Sequence, residues 1–210
     1  MTKIEAGNLS KLDTPMTSEF FKTYQACPDG MKWVLDVLSK GETLRTLLPK
    51  FDRVDWMIWT LRRADALTKV QYVELAVICA QTVLGIYERK YPEDKKPRKA
   101  IEAAVAYAKN PCEKMRIAAA AYAAAYAAYA ADAAAAEAAA YAAEAAAYVD
   151  AYVDAAYVDA AYVDAAAVAA YAADADSGRK THHKKMCALL LAKIKEWDTN
   201  RTVNKPSGQD

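Results

Sequence analysis

The sequence predicts an all-α protein, a multi-helix bundle with long Ala-rich helices that form a hairpin or a projecting extension. Three observations carry this. Ala fills 36 of the 62 positions between residues 117 and 178, and Ala has the highest intrinsic helix propensity. Elsewhere apolar residues recur at three- and four-residue steps, the helical period. Gly 6 and Pro 7 are few for 210 residues, too few for the tight turns of an all-β chain.

Each element then follows in order. Residues 1–17 read as a polar lead-in, and residues 18–110 as a helical domain. Within it Ser18 is placed to cap a short helix through EFFKTYQA. Pro28-Asp29-Gly30 reads as a break, with Met31 opening MKWVLDVLSK and Gly41 closing it. Thr43 to Leu48 is a helical turn ended by Pro49. Asp52 or Asp55 opens VDWMIWTLRRADAL. Thr68 opens KVQYVELAVICAQTVLGIYERK, whose Val70, Val73, Val77, Leu84 and Tyr87 keep helical steps. Tyr91 to Asp94 is a loop, Pro97 suits the first turn of the next helix, and Asn110-Pro111 closes it.

Residues 111–178 form the Ala/Tyr/Asp-rich segment. No Gly or Pro occurs from Cys112 to Asp176. Tyr122, Tyr126 and Tyr129 share one helix face by spacing, and so do Tyr141, Tyr148 and Tyr152. Ala surfaces let helices approach to about 8 Å. AAYVD recurs at 146–150, 155–159 and 160–164, with AYVD at 151–154. A pentapeptide β-helix would also give a five-residue period, but the spacing breaks at Tyr152 and three pentads make too short a coil. One helix over 60 residues would run roughly 90 Å, so the segment either folds back or projects and pairs with another chain. Residues 179–210 hold a basic amphipathic helix and tail, with Leu189, Leu190, Ile194 and Trp197 on its apolar face.

Charge divides the chain in three. Residues 1–116 carry 20 Lys/Arg against 15 Asp/Glu, residues 117–178 carry 9 acids and no base, and residues 179–210 carry 8 bases against 3 acids. The segments therefore pack on one another or meet partners of opposite sign. The net charge of +1 excludes a generally basic nucleic-acid binder and an acidic disordered chain. No apolar leader or spanning segment is visible. Cys27, Cys79, Cys112 and Cys187 lack close pairs, so they read as reduced thiols in a cytoplasmic protein, with Cys79 in the core.

Five segments stand in a telling order: CPDGMKW (27–33), VDWMIWTLRR (54–63), ELAVICAQTVLGIYERKYPEDKKPRKAIEAAVAYAKN (74–110), the Ala/Tyr/Asp run, and MCALLLAKIKEW (186–197). This order resembles the bacterial and phage immunity protein family, the all-α type associated with polymorphic toxins, over about Ala26 to Trp197. The resemblance implies a helical fold and neutralisation of a toxin by binding. The AYVD pentads and the heavier acidity depart from the commoner Ala/Tyr pattern.

No catalytic constellation, phosphate loop or cofactor motif is present, so the expectation is a non-enzymatic binder with no cofactor and no metal. His183 and Cys187, four apart, could orient two metal ligands, but no further ligand is identifiable and Lys184 and Lys185 repel a cation. Trp33, Trp56, Trp59 and Trp197 are core residues or binding anchors, and Trp56 and Trp59 share a helix face. Arg62 and Arg63 cap their helix, pair with Asp52 or Asp55, or grip an anionic partner. The acids Asp150, Asp154, Asp159 and Asp164, with Tyr152, Tyr157 and Tyr162 between them, are a solvated face or an anionic surface for a basic partner such as a nuclease toxin. The expected partner is thus a toxin or defence protein, without membrane or direct nucleic-acid binding. Two rivals stand beside it. One is a homo-oligomer packed through the Ala-rich helices. The other is a phage counter-defence binder of an anionic nucleotide signal near Arg62, Arg63, Lys95, Lys96, Arg98 and Lys99.

Overall fold

The structure, a computed structural model, describes residues 8–112 and 179–203. These residues are all-α: seven α-helices and no strand occur among them. In chain order they are α1 (Ser18–Thr23), α2 (Pro28–Val37), α3 (Leu44–Leu47), α4 (Val54–Arg63), α5 (Lys69–Lys90), α6 (Lys96–Lys109) and α7 (Arg179–Val203), with 3-10 turns at Leu9–Asp13 and Leu48–Lys50. The Ala/Tyr/Asp-rich segment, and with it the choice between hairpin and projection, lies outside the described residues.

Residues 8–17 are more than a lead-in. Leu9, Leu12 and Met16 are buried in the main core. A single antiparallel bridge, Pro15 to Thr43, holds them there, with the Met16 N–H donating to the Glu42 carbonyl at 2.8 Å. The amphipathic reach of Leu-x-x-Leu supplies the burial, and one polar helical turn suffices to carry it.

Helix starts follow local chemistry, with several departures from expectation. Thr17, not Ser18, caps α1, accepting from the Phe20 N–H at 3.3 Å. Pro28 opens α2 instead of breaking the chain. It sits in the first turn, where its missing N–H costs nothing, and the Cys27 thiol accepts from the Gly30 N–H at 3.4 Å. Pro49 lies inside the 3-10 turn rather than ending the helix before it. Thr43 and Thr46 form a reciprocal cap on α3. Thr68 and Gln71 do the same for α5, with N–H to oxygen distances of 2.8 and 3.2 Å.

Two ends use the left-handed region without glycine. The residue after the C-cap is Gln25 (φ 55) beyond α1 and Asp65 (φ 51) beyond α4. In each the next amide reaches back five residues, Ala26 to the Phe21 carbonyl and Ala66 to that of Leu61, closing the last turn. The helix VDWMIWTLRRADAL therefore stops at Arg63, and the sharp turn after α1 brings Phe21 beside the start of α2.

α5 and α6 form a closely packed antiparallel pair joined by the Tyr91–Asp94 loop. Ala76, Ala80, Ala100 and Ala104 are completely buried in it, as is Tyr107. α7 lies across α5, α4 and the Leu48–Lys50 turn. It buries His183, Met186, Cys187, Leu190 and Ile194, a clean series of three- and four-residue steps. Leu189, expected on that face, is 41% exposed, because a position next to Leu190 points about 100° away on a helix. Whether the bases of α7 meet the acidic segment falls outside the described residues. Lys193 of α7 pairs instead with Glu74 of α5 at 3.4 Å.

No helix among the described residues is long and apolar enough to cross a membrane.

Candidate functional site

Phe21 of α1 is buried in the core, and Trp33 of α2 and Trp56 and Trp59 of α4 pack against that core partly buried. They line an open groove of about 310 Å³. Its walls are Phe21, Trp33, Val34, Phe51, Trp56 and Trp59, with Cys27, Gly30, Arg53, Asp55 and Thr60 at the edges. Such a volume sits at the small end of ligand pockets, which are mostly apolar with a few placed polar groups.

Each wall is set by a local feature. Trp56 and Trp59 lie three apart on α4 and so share a face. Trp33, from α2, stacks on Phe51 with ring centroids 4.5 Å apart and meets Trp56 at 5.9 Å. Phe21, brought round by the turn at Gln25, stacks on Trp59 at 6.3 Å. All three tryptophans are half-buried. Gly30 of α2 faces Trp56 of α4 with room for a Cβ. A Cβ there would lie 3.2 Å from the Cys27 sulfur and 3.8 Å from Trp56 Cε2.

One charged pair sits in the groove. Arg53 donates through Nε to Asp55 Oδ1 at 3.1 Å and through Nη2 to Oδ2 at 2.5 Å, the side-on fork that fits a carboxylate. Its guanidinium also lies 4.4 Å from the centroid of Trp56, a cation–π contact. The bonds to Asp55 hold the guanidinium above its ordinary pKa. Thr60, almost fully buried, is satisfied by donating to the Trp56 carbonyl at 2.8 Å.

The expected pairing of Asp55 with Arg62 or Arg63 is replaced by Arg53, two residues from it at the start of α4. Arg62 and Arg63 stand at the opposite end of that helix. Arg62 lies over Tyr72 at 5.5 Å, and Arg63 over Tyr24 and Trp59, each at 5.8 Å. Arg63 therefore borders the aromatic cluster from its far side.

The six bases expected around an anionic signal do not gather. Arg98 forks onto Glu88 at 2.8 and 2.6 Å, whereas Arg62 lies over Tyr72. Tyr72 and Glu88 are sixteen residues apart on α5, which is about 24 Å along a helix. Lys95, Lys96 and Lys99 are exposed at the Arg98 end.

His183 and Cys187 have structural partners. The Val54 N–H, one of the orphan donors at the start of α4, donates to His183 Nδ1 at 3.3 Å. Burial, and after it the charges of Asp52 and Asp55, pushes the Cys187 thiol up to about 12. Burial likewise pushes Cys79 upward. Thiols held protonated are poor metal ligands and nucleophiles at neutral pH. Among the described residues no cluster of three His, Cys, Asp or Glu could hold a metal. Asp150, Asp154, Asp159, Asp164, Tyr152, Tyr157 and Tyr162 lie outside the described residues.

Sequence reasoning named the tryptophans and left their role open. It missed Phe21, Phe51 and Arg53 as their companions. The Arg-x-Asp spacing ahead of two tryptophans was the available signal, but an i, i+2 pair meets only where the chain is extended at the first residue, as Arg53 is (φ −126, ψ 119). Comparison with known proteins finds no family model, no curated relative and no solved structure that matches this chain.

Proposed function

We propose that this chain is a non-enzymatic helical binding protein of the inhibitor type, which neutralises a toxin or defence protein by occluding it, with the tryptophan groove as its anchor site. The observation that carries this is the open groove itself. Three tryptophans pack against the core yet keep part of their surface accessible around one concavity. A Trp side chain buries some 150–250 Å² when covered, and Trp, Tyr and Arg in desolvated pockets dominate the energetics of protein interfaces. The resemblance to immunity proteins and the 9 acids without a base in residues 117–178 point to a protein partner with basic surface. Charge of that kind would speed the encounter, and the groove would hold the partner once met.

Co-expression with the product of the neighbouring gene tests the reading. The wild-type chain should restore growth and co-purify in fixed stoichiometry. Trp59→Ala should weaken binding by about 2 kcal/mol or more, roughly thirtyfold. Changing Asp150, Asp154, Asp159 and Asp164 together to Asn should slow association and leave dissociation nearly unchanged. Rescue and binding indifferent to both sets of changes would dismiss the reading.

A further inference from the structure

The groove's charge arrangement selects among ligands, an argument that rests on the groove being an anchor site. Asp55 is nearly covered, its side chain 12% exposed, and both its oxygens are engaged by the Nε and Nη2 edge of Arg53. Arg53 is 41% exposed and lies over Trp56, its Cζ 4.4 Å from the ring centroid. A guanidinium carries five donors in a plane. With one edge turned inward to Asp55, the Nη1 side is directed away from that carboxylate. The acid is thus sunk behind the base. An incoming cation would meet Arg53 first and find Asp55 engaged, whereas an incoming carboxylate would meet an oriented fork already fixed by its inner partner. Fixing that geometry in advance lowers the ordering cost of binding. The remaining accessible aromatic walls, Trp33 and Trp59, favour a flat apolar body that can stack or meet them edge-on.

We propose that the groove receives an aromatic ring with a carboxylate a few bonds away, presented by the protein partner as an aromatic residue beside an acidic one. The ring lies against Trp33 and Trp59, and the carboxylate takes the Nη1 side of Arg53.

The test uses the full chain with three probes of one shape class: N-acetyl-phenylalanine, its neutral amide, and the cation phenethylamine. None contains indole, so a change in tryptophan fluorescence reports the protein. The acid should bind about tenfold tighter than the amide at low salt, the gap should narrow as salt is raised, and the amine should bind weakest. The acid should also slow thiol-reagent labelling of Cys27, whose exposed thiol lines the groove, as followed by mass spectrometry of its peptide. Arg53→Gln alone would leave Asp55 buried and unpaired, so the informative variant is Arg53→Gln with Asp55→Asn. It should keep the amide affinity and lose the preference for the acid. Equal affinity for acid and amide, tightest binding of the amine, or no binding of any probe overturns the proposal. Partner capture that depends on Trp59 alongside any of these results would leave the anchor reading standing. A clear acid preference with partner capture indifferent to Trp59 would do the reverse.

Discussion

The α5–α6 pair and the α1–α2–α4 face solve the same packing problem with opposite side chains. In the pair, Ala76, Ala80, Ala100 and Ala104 are completely buried, and Tyr107 is sealed with them. On the face, Trp33, Trp56 and Trp59 are half-buried and about 310 Å³ stays open between them. Small side chains let two long helices close along their length. Large planar rings, set on helices of six and ten residues, cannot interdigitate fully over so short a contact. The lesson is that residue size here divides labour: the small residues close a scaffold and the large ones leave a site.

The largest expected effect breaks that comparison if it fails. Tyr107→Ala empties a sealed position, and a buried large aromatic costs about 3–5 kcal/mol to truncate. Trp59→Ala removes a bigger ring from a partly buried position, where less of its area was withdrawn from water, so about 1–2 kcal/mol is expected. Urea unfolding midpoints at constant slope measure both. If Trp59→Ala costs as much as Tyr107→Ala, the groove is core after all.

Overfilling probes the same difference from the other side. Ala104→Leu adds three carbons where Ala104 has no exposed surface, and overpacking of this kind costs about 1–3 kcal/mol. At Gly30 a new Cβ meets only the Cys27 sulfur tightly. That sulfur can shift, and Ala favours the helix over Gly, so Gly30→Ala should stay within about 0.5 kcal/mol of wild type. Thermal unfolding of the two variants side by side gives the contrast, and equal losses would remove the distinction between a closed pair and an open face.

His183 joins the two regions, since α7 packs on α5 as well as α4. His183→Ala would leave the Val54 N–H without its acceptor, a cost of about 1–3 kcal/mol for a buried donor. Amide exchange at Val54 should accelerate more than at Leu61, in the last turn of the same helix. Uniform acceleration along α4 would mean that the histidine supports packing and not the cap.

This cap also shows where sequence reasoning stopped. The all-α class, the start of α5 at Thr68 and the first-turn Pro97 of α6 were legible because Ala content, Ser/Thr capping chemistry and proline's missing N–H act within a few residues. The sequence offers Asp52 or Asp55 for the start of α4, yet the acceptor there is a histidine 129 residues away, which no local pattern records. Pro28-Asp29-Gly30 reads as a break in the sequence, whereas the Cys27 thiol caps a helix that begins at Pro28, and Cys is not among the usual capping residues. The tryptophans were legible as a cluster, but their partial exposure depends on how α1, α2 and α4 meet, including the turn at Gln25, a tertiary fact with no signature in the spacing.

A further expected effect concerns acid, and it belongs to the short-helix side of the molecule. Glu42 precedes α3 with its side chain 5% exposed, ion-paired to Lys50 and accepting from the Ser39 N–H at 3.4 Å. The hydrogen bond from Lys50, and after it that of Thr46, holds the Glu42 carboxyl below the ordinary carboxylate range. A depressed folded pKa means that the unfolded chain takes up the proton first. The contribution is therefore full above about pH 5, declines once the pH falls past the unfolded glutamate value of about 4.3, and is gone below the folded value. Lys50 is 36% exposed and recovers much of its hydration when the carboxylate is lost, so the net worth is about 1 kcal/mol. Glu42→Gln should be less stable than wild type by that amount at neutral pH and should converge with it in acid. Tyr107→Ala carries no titrating change and should keep its full deficit across the same range. A Glu42→Gln deficit that stayed constant into acid would show that shape, and not charge, holds the carboxyl in place.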